Sequence, residues 1–259
     1  MKKYKGYLID LDGTVYRGNK VIEEAPLFIK ELIDHDVSYL FLTNNSSRTQ
    51  EQVSENLTNL GIKAKPEDVF TTSMATAKYV KQNYPDATCF CIGEEGLFDA
   101  MEREGIQVTN DETICDVVII GIDRDITYEK LAKACLAVRN GAAFISTNSD
   151  IAIPTERGFL PGNGALTSVI SISTGVSPTF IGKPEAIIVK EALEVLGTDQ
   201  HETILVGDNY NTDIRAGINS RIDTLMVFTG VTRFEEYDSL PIKPTYFIQN
   251  LSEWIQKIE

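Results

Sequence analysis

The sequence predicts an α/β fold: a doubly wound parallel sheet interrupted by a second α/β segment. Three observations predict it. Short apolar runs alternate with amphipathic stretches along almost the whole chain, the pattern of a parallel sheet with helices on both faces. Polar clusters stand immediately after four of the apolar runs, where open α/β sheets place their ligands. Two pauses, at Tyr84-Pro85-Asp86 and Gly175-Val176-Ser177-Pro178, bracket a stretch with its own alternation. The division that follows joins residues 1–83 with 178–259 in one core and makes 84–177 an inserted domain.

The elements can be justified in order. Gly6–Ile9 is a short apolar run cut off by two acids, as expected of a buried strand ending at a site. Residues 25–36 read as a helix, with Leu27, Phe28, Leu32 and Ile33 on one face. A strand at 38–42 precedes Thr43-Asn44-Asn45, and a helix over 49–60 is closed by Gly61. A short strand at 69–72 and a helix over 74–82 complete the first part. The inserted part reads as strands at 88–92, 117–122 and 143–147, with helices at 95–103, 128–138 and 165–173. The last part reads as strand 179–181, helix 185–196, strands 203–206, 224–228 and 246–248, and a closing helix over 251–258. No internal repeat and no low-complexity tract interrupts the series.

Composition bounds the function. A chain of 259 residues that is 42% hydrophobic can bury one large core or two smaller ones. Its 24 basic residues against 38 acidic ones give a formal charge of −14. Nucleic acid and anionic membrane surfaces are therefore poor partners, and an anionic substrate needs a local cation. The longest apolar stretch, 117–122, is far too short to span a bilayer. Cys89, Cys91, Cys115 and Cys135 lack metal-finger spacing and read as buried free thiols. Without a secretory leader, the expected compartment is the reducing cytoplasm.

The four polar clusters carry the chemistry. They are Asp10-Leu11-Asp12-Gly13-Thr14, Thr43-Asn44-Asn45-Ser46-Ser47, Gly182-Lys183-Pro184 and Gly207-Asp208-Asn209-Tyr210-Asn211-Thr212-Asp213. Each is expected just past a core strand, so all four converge at one sheet edge. Carboxylates held together repel unless a cation or proton intervenes. Acids, hydroxyls, amides and one lysine suit a phosphate group bridged to a hard cation such as Mg²⁺.

In their order and spacing, these segments resemble the four motifs of the haloacid dehalogenase superfamily of phosphatases, in its NagD / p-nitrophenyl phosphatase-like branch. The resemblance covers nearly the whole chain, including 148–165. It implies a Rossmann-like core carrying an inserted α/β cap of the C2 type. The activity it implies is Mg²⁺-dependent hydrolysis of a small-molecule phosphate monoester through an aspartyl-phosphate. Substrates in view are sugar or acid-sugar phosphates, nucleoside monophosphates and, in vitro, p-nitrophenyl phosphate. By this resemblance Asp10 is the nucleophile, Asp12 the general acid and base, and Lys183 the charge neutraliser. Thr43, Asn44 and Asn45 face the phosphoryl group, Asn45 chiefly by shaping the loop. Asp10, Asp12 (through its backbone carbonyl) and Asp208 hold the metal, with Asp213 at the metal directly, through water or on Lys183. Pro184 suits the first turn of the helix after it, and Asp213 also suits an N-cap. The cap loop, with Asn148, Glu156 and Arg157, is expected to select substrate. A homodimer through the cap is an expectation of the family alone.

Other residues weigh less. Arg48 either meets substrate or pairs with a surface acid; His35 and His201 read as surface or capping residues, and Trp254 as a packing residue. The chain departs from the family pattern at Ser149, where proline is usual, and at Ser220-Arg221, where many relatives have Ala-Gly. Two rival readings share the strand-end acids: a phosphomutase of the same superfamily, and a non-enzymatic phospho-acceptor domain. A dinucleotide-binding dehydrogenase is disfavoured because no GxGxxG follows an early strand.

Overall fold

The structure, a computed structural model, describes residues 2–155 and 157–258. By packing, the chain divides into two units. The first comprises the chain up to Thr43, Gln50–Phe70, and everything from Lys183 onward; the second comprises Asn44–Thr49 and Thr71–Gly182.

The first unit is built on a six-stranded sheet, in the spatial order Tyr246–Ile248, Asp223–Val227, Thr203–Gly207, Gly6–Ile9, Ser38–Thr43, Val69–Thr71. Gly6–Ile9 lies at its centre and pairs in parallel on both sides, with Ile9 opposite Val206 and Phe41. Strands before the insertion extend from it in one direction and strands after the insertion in the other, so the topological switch point lies between Gly6–Ile9 and Thr203–Gly207. Both of these strands are buried at every residue, which is why they read as unbroken apolar runs rather than alternating ones. The helix Ala25–Asp34 contributes Ala25, Phe28, Ile29 and Leu32 to the core. Trp254, on the closing helix Ser252–Ile255, has the packing role expected of it: its indole N–H donates to Tyr7 Oη at 3.2 Å, and its ring lies 5.0 Å from that of Tyr246.

The second unit holds a five-stranded sheet in the order Thr179–Phe180, Ala143–Ser146, Val117–Ile120, Thr88–Ile92, Gln107–Thr109, with parallel pairing throughout. Its core joins Phe90, Ile92, Val118 and Ile120 to Ala134, Ala137, Val138 and Ile170. A two-stranded antiparallel hairpin, Ala152–Thr155 with Gly158–Pro161, stands apart from this sheet. Neither Gln107–Thr109 nor the hairpin was expected; both are short and largely exposed, so no apolar periodicity marks them. Among the described residues no helix is long and apolar enough to cross a membrane.

The division by packing differs from the sequence reading at three places, 44–49, 71–83 and 178–182, and hydrogen bonds give the reason. Residues 71–83 and 178–182 were expected with the core. Instead Thr179–Phe180 extends the second sheet beside Ala143–Ser146. The helix Thr72–Asn83 begins with buried Thr72 and Ser73, whose hydroxyls donate to Thr147 O at 2.5 Å and Ser46 O at 2.9 Å. The loop Asn44–Thr49 joins this unit through the same kind of bond: Ile122 N–H donates to Ser46 Oγ at 3.0 Å, and Gly96 N–H to Ser47 O at 3.0 Å.

One departure from the family pattern has a visible backbone consequence. The helix Arg215–Asn219 ends in a Schellman arrangement, with Ile222 N–H on Gly217 O and Arg221 N–H on Ile218 O. Arg221 thereby occupies the left-handed region at φ 57°, where a Cβ is crowded. Arg221→Gly is expected to raise stability by about 0.5–1 kcal/mol, the relieved strain exceeding the extra chain entropy glycine loses on folding. Chemical denaturation of both proteins checks this; a destabilised variant would show that the arginine side chain matters more than its backbone.

Candidate active site

Three acids meet at the carboxyl end of the first sheet. Asp10 follows Gly6–Ile9 and continues its pairing, its N–H donating to Val206 O at 2.9 Å. Asp208 follows Thr203–Gly207, and Asp213 lies in the π-helical turn Tyr210–Ile214 just beyond. A carboxylate oxygen from each lies within 4.8 Å of the others. Asp208 and Asp213 are fully buried, at 0% and 1% exposure. Gly13 makes room for this approach: its φ is 97°, and a Cβ there would fall 2.5 Å from the Asp208 carboxyl group. Thr14, whose role the sequence reading left unassigned, bridges two of the acids, its hydroxyl lying 3.3 Å from Asp10 Oδ2 and 3.2 Å from Asp208 Oδ1.

Lys183 belongs to the first unit and joins this cluster, but not after the core strand that was expected. It does not follow a strand of the first sheet but comes directly after the segment containing Thr179–Phe180, a strand of the second. Its ammonium lies 2.5 Å from Asp10 Oδ1, 2.7 Å from Asp213 Oδ1 and 3.0 Å from Leu42 O, at 2% exposure. All three of its donors thus have an acceptor. Pro184 does not open the next helix; that helix spans Ala186–Leu196, and the Lys183–Pro184 peptide is cis. Nor is Asp213 an N-cap. Asn209 caps the turn by accepting from Asn211 N–H, while Asp213 Oδ2 accepts from Asn209 N–H at 3.0 Å. Asp213 Oδ1 thus faces the Lys183 ammonium as an ion pair, while Oδ2 takes the backbone hydrogen bond.

The electrostatics follow from burial. Burial and then the charge of Asp213 push the Asp10 carboxyl well above the usual carboxylate range, against the pull of Lys183. Asp208 is pushed up to about 6, first by burial and then by Asp213, while Val231 N–H and the Thr14 hydroxyl favour its ionised form. Burial disfavours the Lys183 charge, but Asp10 and Asp213 outweigh it and hold the ammonium above the ordinary lysine range. With one ammonium among three carboxylates, the cluster lacks positive charge, and the ligand atoms it offers are hard oxygens. That set fits a divalent cation, and these acids could hold one. Asp12 lies outside the cluster, exposed at its rim. Partial desolvation raises its carboxyl, and a hydrogen bond from the Gly18 backbone opposes the rise.

The remaining candidates are distributed across the two units. Thr43 ends the strand Ser38–Thr43 in the first, and Asn44 and Asn45 begin the loop assigned to the second. Asn45 shapes that loop, its Oδ1 accepting from Ser47 N–H and Arg48 N–H, both at 3.0 Å. Asn148 is buried, and its amide is engaged within the second unit: Nδ2 donates to Asn44 O at 2.8 Å, and Oδ1 accepts from Asp150 N–H at 3.1 Å. Asp150 in turn accepts from the Asn44 side-chain amide at 3.2 Å. Asn163, which the sequence reading passed over as part of a turn, donates from Nδ2 to Asn148 O at 2.9 Å and to Ser146 Oγ at 3.0 Å. Only the hydroxyl- and amide-rich composition of 146–150 and 163–167 hinted at this network. Arg157 is exposed in the turn of the hairpin, and Glu156 lies outside the described residues. Arg48 and His201 are exposed, and His35 faces Glu31 at 3.7 Å at the end of its helix.

Comparison with known proteins agrees with this geometry. Residues 7–107 match the model of the haloacid dehalogenase-like hydrolase family, and residues 180–254 match a second, HAD-hydrolase-like model. The chain is 59% identical to 5'-nucleotidase YutF of Bacillus subtilis over 258 residues, and 52% identical to acid sugar phosphatase of Staphylococcus aureus over 259, covering 100% of each chain. Among solved structures, a mutant of a thermostable NPPase from Geobacillus stearothermophilus matches with a TM-score of 0.93 at 57% identity, covering 98% of this chain and 99% of that one. The p-nitrophenyl phosphatase from Archaeoglobus fulgidus matches with a TM-score of 0.92 at 31% identity, covering 99% and 100%. With the four motifs in order and full-length similarity to phosphatases, the chain belongs to the haloacid dehalogenase-like hydrolases and, within them, to the NagD-like phosphatases.

Proposed function

We propose that the protein is a Mg²⁺-dependent phosphomonoesterase of small phosphorylated metabolites, working through a phosphoryl group carried on Asp10. The observation that carries this reading is the buried Asp10–Lys183 pair, 2.5 Å apart, set among Asp208 and Asp213. In the first step an Asp10 carboxylate oxygen attacks phosphorus and the bond to the ester oxygen breaks, with Asp12 supplying the proton that the leaving alkoxide takes up. In the second, Asp12 removes a proton from water, the water oxygen bonds to phosphorus, and the bond to Asp10 breaks, releasing inorganic phosphate. A carboxyl raised toward neutral pH suits the acid role of Asp12. Lys183 holds the Asp10 carboxylate in one orientation and offsets charge on the transferred group. Asp10, Asp208 and the Asp12 backbone carbonyl would hold the metal, while Asp213, paired with the Lys183 ammonium, positions that lysine. The bound cation supplies charge neutralisation and a template for an in-line displacement.

For the substrate, the candidates are nucleoside monophosphates and acid-sugar phosphates, in keeping with the names of the similar proteins. The exposed Arg157 is the cationic group of the hairpin and a candidate for contacting an anionic leaving group. Asn148 acts through Asn44, whose carbonyl it holds. A soluble cytoplasmic location and a homodimer belong to the same proposal.

Free-phosphate release from a panel of small esters, with Mg²⁺ or EDTA, tests the main reading. Turnover is expected only with the cation, to vanish in Asp10→Ala, and to fall roughly 10²–10⁴-fold in Asp12→Asn. Full activity in Asp10→Ala would sink the mechanism. Arg157→Ala is expected to lower kcat/KM about tenfold for acid-sugar phosphates while leaving p-nitrophenyl phosphate nearly unchanged; an unaltered substrate ranking would remove Arg157 from the site.

The metal reading has a separate test. The Asp208 carboxyl is raised in the folded state, so folding favours its neutral form. The metal-free protein therefore loses stability as pH rises from about 4 through about 6, and the loss is complete above that. Asp208→Asn is expected to be more stable than wild type in EDTA at pH 7.5, by on the order of 2–3 kcal/mol, with the difference vanishing near pH 4. Added Mg²⁺ is expected to stabilise wild type much more than the variant. Equal responses to Mg²⁺ in thermal melts would count against Asp208 as a ligand.

A further inference from the structure

The segment Thr229-Gly230-Val231-Thr232 lies outside all four motifs, two residues past the end of the strand Asp223–Val227. It nevertheless bonds to two of them. Thr229 Oγ1 donates to Gly13 O at 2.7 Å. Val231 N–H donates to Asp208 Oδ2 at 2.5 Å. Thr232 N–H donates to Asp208 O at 3.3 Å, and Thr232 Oγ1 accepts from Tyr210 N–H at 2.9 Å. Arg17 Nε donates to the Thr229 carbonyl, anchoring the segment from the other side. Gly230 lets the backbone come this close: a Cβ there would fall 2.0 Å from Asp208 Oδ2 and 2.8 Å from Gly13 Cα. The Val231 side chain is 66% exposed, so the segment presents main chain and two hydroxyls to the site.

One of these bonds reaches the Asp208 carboxylate itself, and the others fix the backbone of the segment against Gly13, Asp208 and Tyr210. Asp208 Oδ2 is held by Val231, and Oδ1 by the hydroxyl of Thr14, the residue after the one whose carbonyl Thr229 holds. Left to itself, a buried carboxylate facing Asp10 and Asp213 would rotate away from its like charges. Two donors on two different oxygens prevent that rotation before any cation arrives. Groups that orient metal ligands in this way typically contribute 10- to 100-fold in affinity. A purely structural role would satisfy the backbone groups of Gly13 and Tyr210, but it would require neither a donor on the carboxylate itself nor the absence of a side chain at residue 230.

We infer that Thr229–Thr232 is a clasp that fixes Asp208 for divalent-cation binding, with Thr229 and Thr232 as positioning residues. The inference rests on the reading of Asp208 as a metal ligand. The experiment is a titration of Mn²⁺ into the metal-free protein, followed by the electron paramagnetic resonance of the free ion, with melting temperatures in EDTA measured in parallel. The proteins compared are wild type, Thr229→Val, Thr229→Ser, Thr232→Val, Gly230→Ala and Asp208→Asn. Thr229→Val and Thr232→Val are expected to bind Mn²⁺ about 10-fold more weakly, Thr229→Ser to stay within about twofold of wild type, and Gly230→Ala to lose the most. With p-nitrophenyl phosphate, the activity of Thr229→Val is expected to recover at saturating cation, because the lost hydroxyl acts on affinity and not on the chemical step. If both valine variants and Gly230→Ala bind Mn²⁺ as wild type does, whatever their melting temperatures, the segment is merely structural and the clasp is overturned. If Asp208→Asn itself keeps wild-type affinity, the metal reading falls first and takes the clasp with it.

Discussion

The buried ammonium of Lys183 is the interaction on which the site depends. A charge at 2% exposure is tolerated only where opposite charge and acceptors surround it. Here it has Asp10, Asp213 and the Leu42 carbonyl, which belong to three separate stretches of chain. The dependence is mutual, because each buried acid is itself costly without the lysine. Removing any one member leaves an unpaired charge in a dry environment, so the chain segments that carry them must arrive together.

The sheet makes that arrival possible. Gly6–Ile9 and Thr203–Gly207 are paired in register at the point where strand order reverses, so the residues just beyond them, Asp10 and Asp208, emerge side by side. Complete burial of both strands fixes this register, since every side chain along them is packed. Close approach of backbone supplies the rest, with Gly13 leaving the space that the Asp208 carboxyl fills. The resulting acids are held with too little positive charge among them, and a cluster of that composition could hold a divalent cation.

The second unit stabilises its first loop by a different means. Apolar packing holds its sheet, but the loop beginning at Asn44 is held by amides and hydroxyls. Asn148, Asp150 and Asn44, the last through both its carbonyl and its side-chain amide, form a closed set of hydrogen bonds, and Asn163 donates to the Asn148 carbonyl. Such bonds are directional, so they specify the loop's conformation more sharply than apolar burial would. The hairpin carrying Arg157 is exposed along most of its length.

Much of this was legible in the sequence, for a physical reason. Doubly covered parallel strands must be apolar, and helices packed on them must be amphipathic, so the alternation of Gly6–Ile9, Ala25–Asp34 and Ser38–Thr43 is written in local composition. The acids at the strand ends are recognisable by type and spacing alone, as Asp10, Asp12 and Asp208 are. Tertiary structure decided what depends on non-local partners. Thr179–Phe180 is too short to declare its sheet, and only pairing with Ala143–Ser146 settles that this strand, the last before Lys183, belongs to the second one. Whether Asp213 caps a helix or holds a lysine depends on an ammonium thirty residues earlier in the chain. The hold of Thr229–Thr232 on Asp208 is mostly backbone bonding and the absence of a Cβ. Backbone groups are the same in every residue, so no sequence pattern reports what they touch.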